Sequence, residues 1–252
     1  GIARITSLYL KHPYVRSRRF NVSAELQYEH KALEDRLGAF AIQSDKDLDN
    51  WTLGLAGSFV DSGGRGSNAF ELRYTRGYLH LDALTQAIDA ATAGTSGSFG
   101  KWTVNLQRLQ ALTPRFGIYM SYQGQFADGN LDSAEKLSLG GAYGVRAYPQ
   151  GEAAGDEIHL LTLEARWRVP TALPGHWQLS GFIDHGEAQL NHSPWSAGNN
   201  RRELTGAGVG LNIDLTARFS IKTSLAWRIS EERPQSDDDR SPRTWLYAAT
   251  HF

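Results

Sequence analysis

The feature that most limits what this chain can fold into is a period of two, sustained over long runs. In 20–29 the residues Phe20, Val22, Ala24, Leu26 and Tyr28 fall on one face and Asn21, Ser23, Glu25, Gln27 and Glu29 on the other, the pattern of a strand with one apolar side. The same alternation returns in 68–78, 102–107, 116–123, 161–168 and 219–228. It marks eleven strands, 2–11, 20–32, 48–60, 67–79, 98–109, 115–127, 157–169, 175–186, 203–215, 218–229 and 243–252. Most run past the ~5–6 residues of an ordinary globular strand and match a tilted strand that crosses a bilayer. Their polar faces repeatedly carry Glu, Arg, Gln and Lys. A soluble sandwich core could not bury these unpaired, whereas a wet barrel lumen accommodates them.

Composition removes the competing classes. Hydrophobic residues make up 40% of the 252, yet the mean hydropathy is −0.43 and no apolar run approaches the ~18–20 residues of a membrane-spanning helix. A helical membrane protein is therefore excluded. The 26 basic and 27 acidic side chains leave a net charge of −1 and no field to attract nucleic acid, so no nucleic-acid partner is expected. Zero cysteines exclude disulfides, thiolate metal sites and cysteine nucleophiles. Gly1 to Arg4 lead straight into an alternating segment rather than a signal peptide.

Connection lengths provide an independent test. Between successive strands the links run short (12–19), long (33–47), short (61–66), long (80–97), short (110–114), very long (128–156), short (170–174), long (187–202), very short (216–217) and long (230–242). Transmembrane β-barrels have this asymmetry, with short periplasmic turns and long external loops. Pro114, Pro170 and Pro174 lie in the short turns, where a missing N–H costs nothing. With the long loops outside, the last strand ends in the periplasm at Phe252 while the first starts from the outside. A closed single-chain bacterial barrel has an even strand number, so the expectation is the C-terminal part of a larger barrel, with N-terminal strands lying upstream; the alternative is a small, complete barrel in which the alternation miscounts one strand.

The longest loop carries Leu139, Gly140 and Gly141, then Gly144, Val145, Arg146, Ala147 and Tyr148, and ends at Gly155 and Asp156; a later strand carries Gly181, Phe182, Ile183 and Asp184. Parity in that strand puts Trp177, Leu179, Gly181 and Ile183 toward lipid and turns Gln178, Ser180, Phe182 and Asp184 inward. A carboxylate facing the lumen can meet an arginine if the loop folds back inside.

With these motifs, with the segment His12 to Arg18 leading into Tyr28 to Lys31, and with a terminal Phe252, the chain resembles the transporter component of bacterial two-partner secretion, within the Omp85 superfamily, over essentially its whole length. The resemblance implies an outer-membrane location and a sixteen-stranded barrel preceded by a plug helix and two POTRA domains. In that mapping 157–169 is strand twelve, and the first strand here is strand six. It further implies that loop 128–156 folds into the lumen, with Arg146 locked to Asp184. Val145, Tyr148 and Phe182 would pack around the pair, and Gly140, Gly141, Gly144 and Asp156 would shape the loop. Gly181 is grouped with these glycines. Ala147 stands where the family has Gly, and this is the one departure, expected to tighten the loop tip. The implied partners are a large secreted exoprotein, such as a haemolysin, adhesin or contact-dependent toxin, together with outer-membrane lipid and the barrel-assembly machinery, for which Phe252 is the insertion signal. No cofactor and no nucleotide are implied.

Rival readings are an assembly factor of the same superfamily and, from a different class, an outer-membrane phospholipase-like enzyme, although no nucleophile elbow stands out. The eight histidines show no metal-ligand spacing. Asp237, Asp238 and Asp239 read as a solvated loop tip rather than a calcium site. Trp51, Trp102, Trp167, Trp177, Trp195, Trp227 and Trp245 read for the most part as an aromatic girdle.

Overall fold

The computed structural model describes residues 1–37, 42–216 and 218–250. In chain order the strands begin with β1 (Ile2–Arg16), β2 (Phe20–Leu37), β3 (Ile42–Val60), β4 (Gly66–Leu81), β5 (Gly97–Ala111) and β6 (Phe116–Ala127). Next come two short segments, β7 (Leu137–Ser138) and β8 (Ala154–Gly155), then β9 (Glu157–Arg168), β10 (His176–Gln189), β11 (Arg201–Thr216), β12 (Phe219–Arg228) and β13 (Arg243–Thr250). Within the described residues β1–β6 and β9–β13 form a single antiparallel sheet of eleven strands, each paired with its sequence neighbour, while β7 and β8 pair only with each other.

The alternation in the sequence maps onto two faces of this wall. On the outer face Leu53, Tyr74, Trp102 and Phe126 lie side by side across β3 to β6, and Trp167, Leu179 and Leu211 do so across β9 to β11. Leu53, Trp102, Phe126, Trp167 and Leu179 are exposed and Tyr74 and Leu211 half-buried, an apolar surface of the kind that lipid covers. Aromatic pairs mark the upper and lower limits of the band, Tyr28 against Trp51 at one level and Phe20 against Phe59 at the other. Phe20 and Tyr28 are eight residues apart on β2, about 27 Å along a strand and about 21 Å of height after a ~40° tilt, close to the ~25 Å apolar band of an outer-membrane barrel.

Where the structure departs from the expected boundaries, the ladder runs further than the polarity pattern does. The link expected at 12–19 is mostly strand, since β1 continues to Arg16, and the described residues of 33–47 are strand, since pairing continues to Leu37 opposite Ile42. Backbone pairing can extend above the bilayer, where both faces are wet and the alternation fades. The loop at 80–97 contains an unexpected helix, α1 (Ala83–Ala90), capped by Asp82, which accepts from the amides of Leu84 and Thr85 at 3.0 and 3.1 Å. Turns are short at the other end of the strands. At 61–66 the Asp61 carboxylate accepts from the amides of Arg65 and Gly66, and Gly64 sits at φ +68°. His251 and Phe252 lie outside the described residues, as does Ala217.

Leu163 lies midway down the outer face of β9, between His159 above and Trp167 below. Leu163→Arg is expected to cost about 2–4 kcal/mol of folding stability in lipid vesicles, as a charge at the bilayer midplane does. Gln123→Arg, on the inner face of β6, is expected to cost little; urea titration in the two variants checks the difference.

Candidate functional site

Loop 128–156 leaves β6 and returns to β9 through a neck formed by β7 and β8, whose register pairs Leu137 with Gly155. Beyond the neck its tip folds back on itself: the Val145 amide donates to the Leu139 carbonyl at 2.7 Å, and Gly140 and Val145 form a parallel bridge. This turn needs its glycines. A Cβ on Gly144 would lie 1.9 Å from the Leu139 carbonyl oxygen, one on Gly140 would lie 2.3 Å from that of Pro149, and Gly141 sits at φ +124°.

The turn delivers Arg146 to Asp184 on the inner face of β10. Nε and Nη2 of Arg146 donate to the two carboxylate oxygens, both at 2.9 Å, and its own backbone amide adds a third bond at 3.1 Å. Thr162 on β9 donates a fourth, at 3.0 Å. Asp184 is fully buried and these four donors serve both its oxygens. The remaining guanidinium edge, Nη1, donates to Glu164 at 3.1 Å, and Glu164 also accepts from Arg166 at 2.9 Å. Two carboxylates thus face two guanidinium groups. Phe182 lies flat beneath Arg146, with its ring centroid 3.2 Å from Cζ, a cation–π contact that a desolvated site strengthens. Trp245 on β13 donates from Nε1 to the Arg146 carbonyl at 2.8 Å.

The tip rests on bare backbone. A Cβ on Gly186 would lie 2.7 Å from Leu139 Cδ2, one on Gly206 would lie 2.5 Å from the Ala147 methyl, and one on Gly208 would lie 2.5 Å from Phe182 Cζ. These inward glycines of β10 and β11 leave room for the loop. Gly181 has nothing within 4 Å and belongs to the outer face, so it does not surround the lock as the motif suggested. The Ala147 methyl occupies the space that Gly206 leaves, and Ala153 is the only described non-glycine residue at positive φ, so alanine at 147 imposes no backbone strain.

Val145 and Tyr148 are completely buried, but Tyr148 turns away from the ion pair. Its hydroxyl shares a 2.7 Å hydrogen bond with Ser230 Oγ and donates at 2.7 Å to the Glu232 carbonyl, tying the tip to the loop that follows β12.

Three carboxylates then brace the rest of the loop against the wall, and a fourth, Asp156, ties it to itself and to the loop after β10. Asp132 meets Lys46 of β3 at 2.9 Å. Glu135 meets Lys31 of β2 and Lys101 of β5, each at 2.8 Å, and accepts from Asn50 at 2.8 Å. Burial alone would raise the pKa of Glu135, yet Lys101 and Lys31 hold it below the ordinary carboxylate value. Glu152 accepts from Arg202 of β11 at 2.9 Å, from the amides of Gln235 and Ser236 at 3.0 and 2.9 Å, and from the Ser236 hydroxyl at 2.7 Å. Its pKa is also lowered: burial opposes ionisation, and the Ser236 hydroxyl, the two amides and Arg202 outweigh it. Asp156, fully buried, accepts from the amides of Leu131 and His192 at 3.1 and 2.8 Å and pairs with Lys136 at 3.2 Å. One loop is therefore pinned to β2, β3 and β5 on one side and to β10 and β11 on the other, so the wall must curve around it.

The sequence of residues 1–213 matches the family described as haemolysin secretion/activation protein ShlB/FhaC/HecB. The chain belongs to that family. It is 28% identical over 222 residues to the heme/hemopexin transporter protein HuxB of Haemophilus influenzae, a match covering 86% of this chain and 39% of that protein. To the outer membrane transporter CdiB of Dickeya dadantii it is 26% identical over 195 residues, covering 77% of this chain and 34% of the relative. The chain thus spans well under half the length of the curated relatives it matches. Among solved structures, CdiB from Escherichia coli superposes with a TM-score of 0.77 at 20% identity, covering 98% of this chain and 45% of that one. BamA from Haemophilus ducreyi gives 0.54 at 12% identity, covering 99% and 62%. At these identities the two superpositions establish the fold, an outer-membrane β-barrel.

Within this family chain several residues beyond the motifs complete the site. Thr162 and Glu164 stand directly across from Asp184 and Phe182 in the β9–β10 register, so strand pairing carried through would have found them. The braces at Glu135 and Glu152 join residues 85 and 50 positions from Asn50 and Arg202, and no local pattern announces them. Trp245 faces inward and Trp195 lies in the loop after β10, so neither belongs to a lipid-side girdle. Asp237, Asp238 and Asp239 each pair with an arginine, Arg243, Arg240 and Arg228 respectively, which is not a calcium site. Among the described residues no group of His, Asp or Glu is arranged to hold a metal ion.

Because Glu152 has a lower pKa folded than unfolded, its contribution to stability is complete above the unfolded value and is lost as pH falls through the folded one. Protection of the amides in 152–156 and 232–236, measured against their intrinsic exchange rates, is expected to hold at neutral pH and to be lost only when the pH falls below the ordinary glutamate range. In Glu152→Gln the same amides are expected to exchange fast already at pH 7.

Proposed function

We propose that this chain forms the C-terminal part of the barrel of an outer-membrane pore that exports a large partner exoprotein by two-partner secretion. The observation that carries the reading is the inward loop, fixed by a two-point guanidinium–carboxylate contact on a barrel wall of this family. A guanidinium that meets its carboxylate edge-on with two hydrogen bonds sets direction as well as distance, so it holds the loop in one pose beside the path through the lumen. The inner faces supply a polar surface along which an unfolded polypeptide can move. In this reading upstream strands complete a sixteen-stranded barrel, preceded by a plug helix and POTRA domains that capture the client. The barrel-assembly machinery inserts the barrel by reading its C-terminal end. The work of export comes from the client folding outside, with no catalytic step and no nucleotide.

Removing Arg146 would leave Asp184 and Glu164 as buried carboxylates with one guanidinium between them, a loss of about 3–5 kcal/mol for a buried pair broken on one side. That exceeds the ~1.4 kcal/mol that changes a population tenfold. In the intact protein, co-expressed with its exoprotein, Arg146→Ala is expected to reduce secretion at least about tenfold while heat-modifiable mobility shows the barrel still inserted. Wild-type secretion by this variant would remove the lock from the mechanism.

A further inference from the structure

The loop tip leaves one large side chain uncovered. Among residues 139–149, Leu139, Val145 and Tyr148 are completely buried, whereas Tyr143 is 84% exposed. Its ring holds nothing together: among the described residues its hydroxyl has no hydrogen-bond partner, and it lies outside the buried cluster formed by Leu139, Val145 and Tyr148. Yet its position is fixed. It stands between Gly141 and Gly144, which are joined by a 3.1 Å backbone hydrogen bond and are both held to conformations that a side chain would strain or block. A rigid turn therefore presents an aromatic ring to space that no described residue fills.

That space is a cavity of about 390 Å³ under the tip, bounded by Tyr143 and Arg146 on one side and by the inner wall on the other. The wall contributes Ser121, Ser180, Asn212 and Ser224 from β6, β10, β11 and β12, with the charged Glu164, Arg166 and Lys222 among them. A hydroxyl can donate or accept, and an amide side chain does both. A polypeptide moving through in extended form presents an unpaired N–H and C=O at every non-proline residue, whatever its sequence. Short polar side chains on four strands can satisfy those groups in turn without selecting any one sequence, and a tyrosine ring offers a flat contact equally indifferent to it.

We infer that Tyr143 and this polar wall form the contact at which an extended, unfolded segment of the exported protein slides past the loop tip. The inference rests on the export reading and names where in the lumen the client is touched. Tyr143 in this account is a client-contact residue and not a member of the Arg146–Asp184 lock.

The test uses the intact protein co-expressed with its exoprotein, with a photo-crosslinking amino acid placed at Tyr143, at Ser121 or at the lipid-facing Leu163. Crosslinks to the exoprotein are expected at 143 and 121 during export and not at 163. Tyr143→Ala is expected to slow export by about two- to tenfold, the range that one aromatic contact carries. Slow amide exchange at 145–148 would show the lock intact, and Tyr143→Phe, which keeps the ring, is expected to recover most of the loss. Crosslinks at 121 without any at 143, or export by Tyr143→Ala at the wild-type rate, overturn the inference and leave the export reading standing. If the unmodified protein exports no exoprotein, both fall together.

Discussion

Everything distinctive about this structure depends on one ion pair formed away from bulk water. Asp184 is completely buried on the inner wall, and a carboxylate there is tolerable only while it is paired and its oxygens are fully hydrogen-bonded. Arg146 supplies three of the four donors, two from its side chain and one from its own amide. The loop backbone and the loop side chain thus bind the same group, so the contact fixes the tip as well as the charge. Phe182 below and Glu164 beside it hold the guanidinium in plane, and Trp245 grips the carbonyl of the same residue.

The pair works because the wall makes way for it. Gly186, Gly206 and Gly208 remove side chains where the tip lies, so Leu139, Val145 and Ala147 pack against bare strands. Glycine normally weakens a strand, and here that cost is offset by close approach of the loop. Higher up, the acidic residues of the loop meet cations and amides from wall segments far apart in sequence, with Glu135 tied to β2, β3 and β5 and Glu152 tied to β11. The loop is a cross-brace of the barrel mouth as much as a lining of its lumen.

The wall was legible in the sequence because a strand between lipid and water writes its two faces into alternate residues; Phe20 to Glu29 is enough to show it. The strand ends were less legible, since β2 and β3 pair on to Leu37 and Ile42, beyond the zone where lipid imposes alternation. Within the site, Arg146 and Asp184 could be named because their motifs resemble a known family and parity turned Asp184 inward. Gly181 was misassigned because a motif carries no facing of its own: it neighbours Phe182 in sequence, yet the strand turns it to the opposite side. Glu135, Glu152 and Tyr148 find partners 30 or more residues away across the lumen, and such contacts have no period to read.

The central claim is that the tip of loop 128–156 lies inside the barrel against β10. The chain has no cysteine, so within it a single introduced thiol reports alone. Val145 is completely buried, with a methyl facing Gly186 of β10. Val145→Cys, in the intact protein in its membrane with no other cysteine, is expected to resist a membrane-impermeant maleimide added from outside and to become reactive once Asp184→Ala releases the tip. Rapid labelling of Val145→Cys with Asp184 in place would contradict the inward loop.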